Sequence, residues 1–513
     1  MSRVVVIGSG AGGLAAAARL AVKGHQITVL EQAEAFGGKL ARYERDGFAF
    51  DTGPSLLTLP AVYRDLFNKT GGPLEEAVDL QPVEPAFAYR WADGSSAVLP
   101  GVNPAHCADA LGDALGPLAA TQWRALISRG SAMWQVTREP FLQSPLAGWK
   151  TLVGLARSPA DITTVAPFTS LRSLGRSIFT DPRLITLLDR YATYSGSDPR
   201  KAPAVLATIP YVEQTFGAWH IGGGLSRLAD ALVQRCVDRG VSLHRSSAVT
   251  SIGLRDGRVN GVEVNASQWL PADIVVANAD AEHVYRALLH PDAAPGSPRS
   301  RSTSDHSTAI RSILRSMDRT TPSLAGFVIL AAVRGRTPGI EHHNVWFPHD
   351  YDAEFDQIFG DAPRPVADPT IYACTPADPL MRPDDGHESW FILVNAPRHG
   401  DGSKRTVNWD AEGLADTYAR RILDVLAERG TDIRDRILWL QTRTPADLER
   451  AVGAPGGSIY GTSSNGPRAA FARPANQSPI PGLYLVGGSS HPGGGLPLVG
   501  MSAEIVAGLI GRG

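Results

Sequence analysis

The chain opens on a short β-branched run, Val4, Val5, Val6 and Ile7, which ends at Gly8-Ser9-Gly10-Ala11-Gly12-Gly13 and leads into an Ala/Leu-rich segment over residues 14–22. A second apolar run over residues 26–30 stops at Glu31. A strand covered on both faces need not alternate polar with apolar, so both runs read as buried parallel strands. Strand, glycines, helix, strand and terminal carboxylate in this order form a complete β-α-β unit with a dinucleotide fingerprint. Gly8 permits the tight turn, Gly10 lets backbone amides approach a pyrophosphate, and Gly13 lets helix and strand pack closely. The helix N-terminus, beside Ala11 and Gly12, favours the anion. Glu31 can accept hydrogen bonds from a ribose 2′-hydroxyl and would repel a 2′-phosphate. The unit by itself does not separate FAD from NAD.

Composition narrows the class. The 513 residues give ample length for a sizeable core, which excludes a mini-scaffold held by disulfides. Lys and Arg number 49 against 51 Asp and Glu, so no nucleic-acid partner is expected. Cys107, Cys236 and Cys374 are too far apart for a CxxC pair, which argues against a disulfide framework or a thiolate metal site and fits a reducing cytosol. No run reaches the roughly 18 apolar residues of a membrane span. Arg3 before an apolar run mimics a signal peptide, but the glycine spacing that follows argues against one. Neither a Gly-x-Ser-x-Gly elbow nor a His-Glu-x-x-His pattern supports a hydrolase. The 53 glycines and 38 prolines follow no collagen period and imply tight turns and close backbone approaches.

Those glycines recur in clusters. Gly37-Gly38-Lys39 lies shortly behind Glu31, followed by Arg42 and Phe50-Asp51-Thr52-Gly53-Pro54. Far downstream, Gly222-Gly223-Gly224 precedes a helical period at Leu225, Leu228, Leu232 and Val233. Residues 241–252 come next, then a hairpin over 255–264 turning at Asp256-Gly257, then a buried run over 272–280. A third return comes at residues 482–488, a strand ending in Gly487-Gly488, with a glycine-rich loop to Gly500 and a last helix over 501–510. These runs are the strands a first β-α-β unit needs to complete its sheet. The last loop again offers backbone amides and a helix dipole.

Residues 76–216 and 291–454 lack the dinucleotide pattern. The first insert reads as mainly helical. Its aromatic stretch, with Trp134, Phe141, Leu142, Trp149, Leu152 and Val153, is either core or, with Lys150 and Arg157, an interfacial patch for a bilayer. In the second insert, residues 323–333 read as one long strand or a pair. Adjacent His342 and His343 point opposite ways in an extended chain, so no metal site is expected there. Residues 297–307 have no large apolar side chain to bury and read as an exposed flexible loop.

Taken with residues 217–223, Asn278-Ala279-Asp280, residues 393–397, residues 456–461, Arg473-Pro474 and His491-Pro492-Gly493-Gly494-Gly495-Leu496-Pro497, these motifs make the chain resemble the bacterial-type phytoene desaturase family. These are carotenoid-modifying flavoenzymes of the FAD-dependent amine oxidase-like superfamily, and the resemblance covers nearly the full length. It implies an α/β architecture: a Rossmann-like FAD-binding domain assembled from residues 1–75, 217–290 and 455–513, plus an α+β substrate domain from 76–216 and 291–454 with a helical, membrane-contacting part. It implies FAD held by Gly8, Gly10, Ala11, Gly12, Gly13, Glu31, Gln32, Gly38, Lys39, Gly53, Pro54, Val249, Gly488, Leu498, Val499 and Met501, with the Val249 strand reading the adenine.

The activity implied is desaturation of C–C bonds in a carotenoid or related lipophilic polyene by hydride transfer to flavin N5. A quinone or oxygen would be the electron acceptor. The chain would be cytoplasmic, peripheral on the inner face of the membrane. His491, in the loop facing the flavin, is the candidate to take or relay the departing proton, the alternative being that its ring braces the Pro492 turn. Tyr460 and Trp219 either line the pocket or belong to the core. The family pattern is Thr-His-Pro-Gly-Ala-Gly-Ile-Pro, and Ser490 through Pro497 departs from it much as hydroxycarotenoid desaturases and diapocarotenoid-oxidising relatives do, which leaves the substrate open. The alternatives are a polyene isomerase, an FAD oxidase of another lipophilic substrate, and a non-catalytic relative of the GDP-dissociation inhibitors. Glu31, Gly37-Gly38 and the C-terminal loop, all suited to FAD, argue against the last.

Overall fold

A computed structural model describes residues 1–146, 158–289, 304–403, 405–466 and 469–513. The N-terminal unit forms as its sequence predicts, with strand Arg3–Ile7, helix Ala11–Ala21 and strand Gln26–Leu30. They sit within a five-stranded parallel sheet in the order Ser242–His244, Gln26–Leu30, Arg3–Ile7, Ile274–Ala277 and Leu483–Leu485. The first strand shows why its sequence does not alternate. Val4 and Val6 join a core beneath helix Ala11–Ala21, while Val5 and Ile7 join a second core on the opposite face. Ala15, Ala16, Ala17 and Ala18 are fully buried, and their small side chains let this helix lie close to helices Ser226–Asp238 and Leu496–Ile510.

The hairpin expected at Asp256-Gly257 is present. Strands Val249–Arg255 and Arg258–Val264 pair antiparallel across it, with φ of 49° at Asp256 and 74° at Gly257, as a primed two-residue turn requires.

A seven-stranded, mostly antiparallel sheet carries the rest. Its order is Ile437–Arg443, Ala325–Arg334, His387–Ala396, Ile371–Cys374, His343–Trp346, Phe87–Arg90 and Ser96–Leu99. The apolar run at 323–333 resolves into the single strand Ala325–Arg334, paired on both edges. It too is buried on both faces, against helix Leu414–Glu428 on one side and against Phe48 and Phe50 on the other. A helical layer made of Pro104–Leu115, Pro117–Thr137, Leu171–Ile178, Pro182–Thr193 and Thr208–Phe216 packs beside Phe87, Tyr89 and Phe347. A small sheet of Leu57–Thr58, Ala218–Ile221 and Leu80–Pro82 ties the two halves together across the border expected near residue 76.

One expectation changes, and a second is only partly covered by the described residues. Residues 297–303 lie outside the described residues, but from residue 304 the chain is the helix Ser304–Asp318 rather than loop. Its Ile310, Ile313, Leu314 and Met317 pack against the sheet core, a helical spacing that begins just past the polar run. Trp134 is buried on helix Pro117–Thr137, and Phe141 and Leu142 follow in the helical turn Arg138–Leu142. Trp149, Lys150, Leu152, Val153 and Arg157 of the supposed interfacial patch lie outside the described residues.

Candidate active site

The carboxyl ends of the parallel strands open onto a cavity of about 860 Å³, the place where open α/β sheets take ligands. Of the residues singled out from sequence, Gly8, Gly10, Ala11, Gly12, Glu31, Gln32, Gly38, Lys39, Gly53, Pro54, Val249, Gly488, Leu498, Val499 and Met501 line it. Gly13 and His491 are not among the lining residues. Gly13 is packed instead against the first strand, for a Cβ there would stand 2.1 Å from the Gly8 carbonyl oxygen.

The groove fits the dinucleotide half of FAD. Gly8 has φ of +89° and Gly10 opens helix Ala11–Ala21, so the helix amides face the space. Glu31 is fixed by three donors: Ser9 N–H at 2.8 Å, Ser9 Oγ at 2.7 Å and Ala33 N–H at 2.9 Å. A carboxylate has about four acceptor positions, so one stays free for a ribose hydroxyl. Asn278, at the end of strand Ile274–Ala277, sits among the glycines. It donates to the Gly8 carbonyl at 3.3 Å, and a Cβ at Gly12 or Gly487 would stand 2.7 Å from its Oδ1.

On the far side of the groove, Lys39 Nζ donates to the Ile459 carbonyl at 2.7 Å. Burial lowers the Lys39 pKa, with Asp280 opposing, and burial raises the Asp280 pKa. Tyr460 lines the cavity, its ring only 2.2 Å from where a Gly494 Cβ would stand. Arg473 is a residue the sequence reading missed as a site element. Its Nη1 donates to the Tyr460 and Gly488 carbonyls at 2.8 Å each, and its Nη2 to the Thr462 carbonyl at 2.7 Å, stapling two loops of the wall together. Burial lowers its pKa to about 10. A lone Arg before Pro474 carries little signal of this, because its acceptors are all backbone.

His491 is fully buried. Its Nε2 lies 2.8 Å from the Phe141 carbonyl and 3.0 Å from that of Ser144, and burial lowers its pKa. The ring ties the glycine loop to the turn after helix Pro117–Thr137 rather than bracing the Pro492 turn itself. Trp219 donates to the Phe216 carbonyl at 2.7 Å and packs on the core beside the first helix.

The expected divergence of His342 and His343 is corrected. Their rings lie 4.5 Å apart, and His342 is 4.9 Å from the ring of His220. Strand His343–Trp346 begins only at the second histidine, so alternation does not govern the first. Ligand-type atoms of the pair and of Cys374 fall within 4.8 Å of one another. His343 Nδ1 meets the Tyr372 hydroxyl at 2.9 Å, and its ring stacks on Phe87 and Tyr372.

Burial lowers the His342 pKa to about 3 and that of His343 well below its ordinary value. Both imidazoles are therefore neutral in the fold and take up protons on unfolding once the pH drops below about 6.5. Stability is fully present above that pH and is lost as the pH falls. From pH 6.5 to 4.5 the loss is about 2.3 kcal/mol for His342, and His343 adds to it in the same direction. Denaturant titrations across this window should fall more shallowly for His342→Gln than for the natural chain, and parallel curves would contradict the assignment.

A parallel sheet and three separated glycine-rich segments enclose a dinucleotide groove that opens into an apolar cavity, which defines the chain as a flavin-dependent oxidoreductase. Residues 11–323 match the family described as flavin containing amine oxidoreductase. The "4,4'-diapolycopene oxygenase" of Methylomonas sp is 32% identical over 98% of this chain and 97% of that protein. The "Hydroxyneurosporene desaturase" of Rubrivivax gelatinosus is 32% identical over 98% and 92%. A crystal structure of an oxidoreductase from Methanosarcina mazei, 16% identical, shares the fold with a TM-score of 0.62 over 98% of this chain and 99% of that one. The chain belongs to the carotenoid desaturase family of the flavin-containing amine oxidoreductases, and its cofactor is FAD.

Proposed function

We propose that the protein removes hydrogen across C–C bonds of a carotenoid or related lipophilic polyene, with residues 1–75, 217–290 and 455–513 serving the cofactor and the two inserts serving the substrate. The carrying observation is the continuity of the cavity. Its glycine-lined groove passes directly into a space walled by Trp134, Phe141, Leu142, Val328, Phe391 and Leu393. Bound FAD supplies a two-electron acceptor able to take a hydride from an allylic C–H bond. Amides around Gly10 and Gly12 would hold its pyrophosphate, and Glu31 its ribose. The apolar walls orient a long chain by shape and keep water away from the reacting carbons.

Substrate of this kind travels in membranes, and the cavity rim suits such a source. Val165 and Pro167 line the cavity, while Ile162 and Phe168 next to them are 46% and 89% exposed. Among the described residues no helix is long and apolar enough to cross a membrane. We infer a peripheral contact at this rim, on the cytoplasmic face, with a quinone or oxygen as the final electron acceptor.

One experiment tests both parts. The FAD-loaded protein is mixed anaerobically with liposomes carrying C40 or C30 polyenes. The expected result is that protein floats with the vesicles, the visible flavin absorbance bleaches, and product lighter by two hydrogens appears. Unchanged product mass would point to isomerisation. Oxygen in the product after aeration would favour the chemistry named for the Methylomonas relative. No bleaching with any polyene would overturn the reading.

A further inference from the structure

The cavity is apolar in most of its wall, yet one corner holds a permanently charged group. Arg190, on helix Pro182–Thr193, is 6% exposed and lines the cavity. Among the described residues it has no direct ion pair, and the one hydrogen bond of its guanidinium is from Nη1 to the Tyr194 hydroxyl at 2.7 Å. Tyr194 in turn donates to Glu213 Oε2 at 3.0 Å, and Tyr191 donates to Oε1 at 2.7 Å. The negative charge that balances Arg190 is thus relayed through a phenol, and Glu213 has its oxygens engaged elsewhere.

Four rings surround the guanidinium carbon: Phe87 at 5.3 Å, Tyr89 at 5.7 Å, Tyr194 at 5.0 Å and Tyr372 at 5.7 Å from their centroids. Such a cage holds a cation in place without capping its N–H groups. Burial works against the charge, but with Glu213 opposing it the Arg190 pKa stays above its ordinary value. Beside it in the wall, the Tyr372 hydroxyl and Ser55 Oγ meet at 2.7 Å.

A guanidinium carries five N–H donors in a fixed fork. A hydrocarbon filling this corner would strip water from donors it cannot satisfy, which is costly for a charged group. Resting on the polyene reading above, we propose that this corner recognises an oxygen atom on the end of the substrate, a hydroxyl, carbonyl or carboxylate, with Arg190 donating to it and Tyr372 and Ser55 beside it. Shape then selects the chain, and Arg190 selects the oxygenated end over a plain hydrocarbon one.

The test uses the FAD-loaded protein and polyenes of one length ending in methyl, alcohol, aldehyde or carboxylate. Two quantities are read: kcat/KM for anaerobic flavin reduction, and Kd from quenching of tryptophan fluorescence, for which Trp134 stands in the wall. The oxygenated ends should bind at least about tenfold more tightly than the hydrocarbon and be reduced with a similar preference, as a hydrogen bond to a charged group predicts. Arg190→Met should shrink that ratio to within about twofold and Arg190→Lys should restore part of it. Tyr372→Phe, which changes no charge, should lower the ratio by a smaller factor and serves if Arg190→Met does not fold. Equal Kd for hydrocarbon and oxygenated ends in the natural chain, or a ratio untouched by these substitutions, would overturn the proposal. Preferential binding of oxygenated ends with no flavin reduction by any of them would instead overturn the desaturase reading and leave this one standing.

Discussion

Replacing Gly10 by valine is expected to give a folded chain that purifies without FAD and has lost activity by more than about a hundredfold. Gly10 has φ of −66°, so a side chain there is not strained by its own backbone. What it meets is the groove. A Cβ would stand 2.9 Å from Asn278 Nδ2, and the Gly10 Cα is 3.3 Å from where a Gly38 Cβ would lie. Valine carries two further methyl groups into the space where helix amides face the pyrophosphate, and they block the approach that glycine exists to permit. Asn278 is a side chain and can turn aside, so the sheet survives. The contrast is Gly13, whose Cβ would stand 2.1 Å from the Gly8 carbonyl oxygen. Backbone cannot turn aside there, so Gly13→Val should fail to accumulate at all. The ratio of visible to ultraviolet absorbance measures bound flavin, and circular dichroism measures the fold. Stoichiometric FAD in the Gly10→Val protein would refute the groove assignment.

Those two glycines were legible in the sequence because close backbone approach leaves a mark that no other residue type can supply. The same holds for Gly487-Gly488 and for the Asp256-Gly257 turn. Strands buried on both faces, Arg3–Ile7 and Ala325–Arg334, were legible as unbroken apolar runs. What the sequence concealed depends on partners far away along the chain. Arg473 acts on carbonyl oxygens, which every residue possesses, so nothing in its neighbourhood marks its role. Arg190 reads as an ordinary helix cation until Tyr194, Glu213 and the rings of two strands close around it. The histidine pair escapes alternation for a local reason: the strand begins one residue after His342. His491 shows the limit of motif reading, for Pro492 to Gly495 line the cavity while the direction of the ring is set by carbonyls of Phe141 and Ser144.

Asp51 belongs to the same hidden class, and Asp51→Ala is expected to lower stability by about 2–4 kcal/mol, or roughly 2–4 °C in the unfolding midpoint of a chain this long. Its motif, Phe50 to Pro54, suggested proximity to flavin, yet Gly53 and Pro54 line the cavity while Asp51 turns the other way. Its Oδ2 accepts from Leu225 N–H at 2.7 Å and its Oδ1 from Ser226 N–H at 2.9 Å, so it caps helix Ser226–Asp238 from a distant strand. Gly224 makes room for it: with φ of +103°, its Cβ would stand 2.8 Å from Asp51 Oδ1. Alanine orphans both amides in a site only 7% exposed, and each buried unsatisfied donor costs about 1–3 kcal/mol. Asparagine rescues only half, since its NH₂ would face one of the two N–H groups, donor against donor. The effect should reach the cofactor, because Ala229 of the capped helix lies 3.2 Å from where a Gly37 Cβ would stand, beside the loop holding Gly38 and Lys39. Thermal scans with and without added FAD read both consequences. A midpoint within about 1 °C of the natural chain would mean that water replaces the carboxylate at no cost, and that the helix needs no cap.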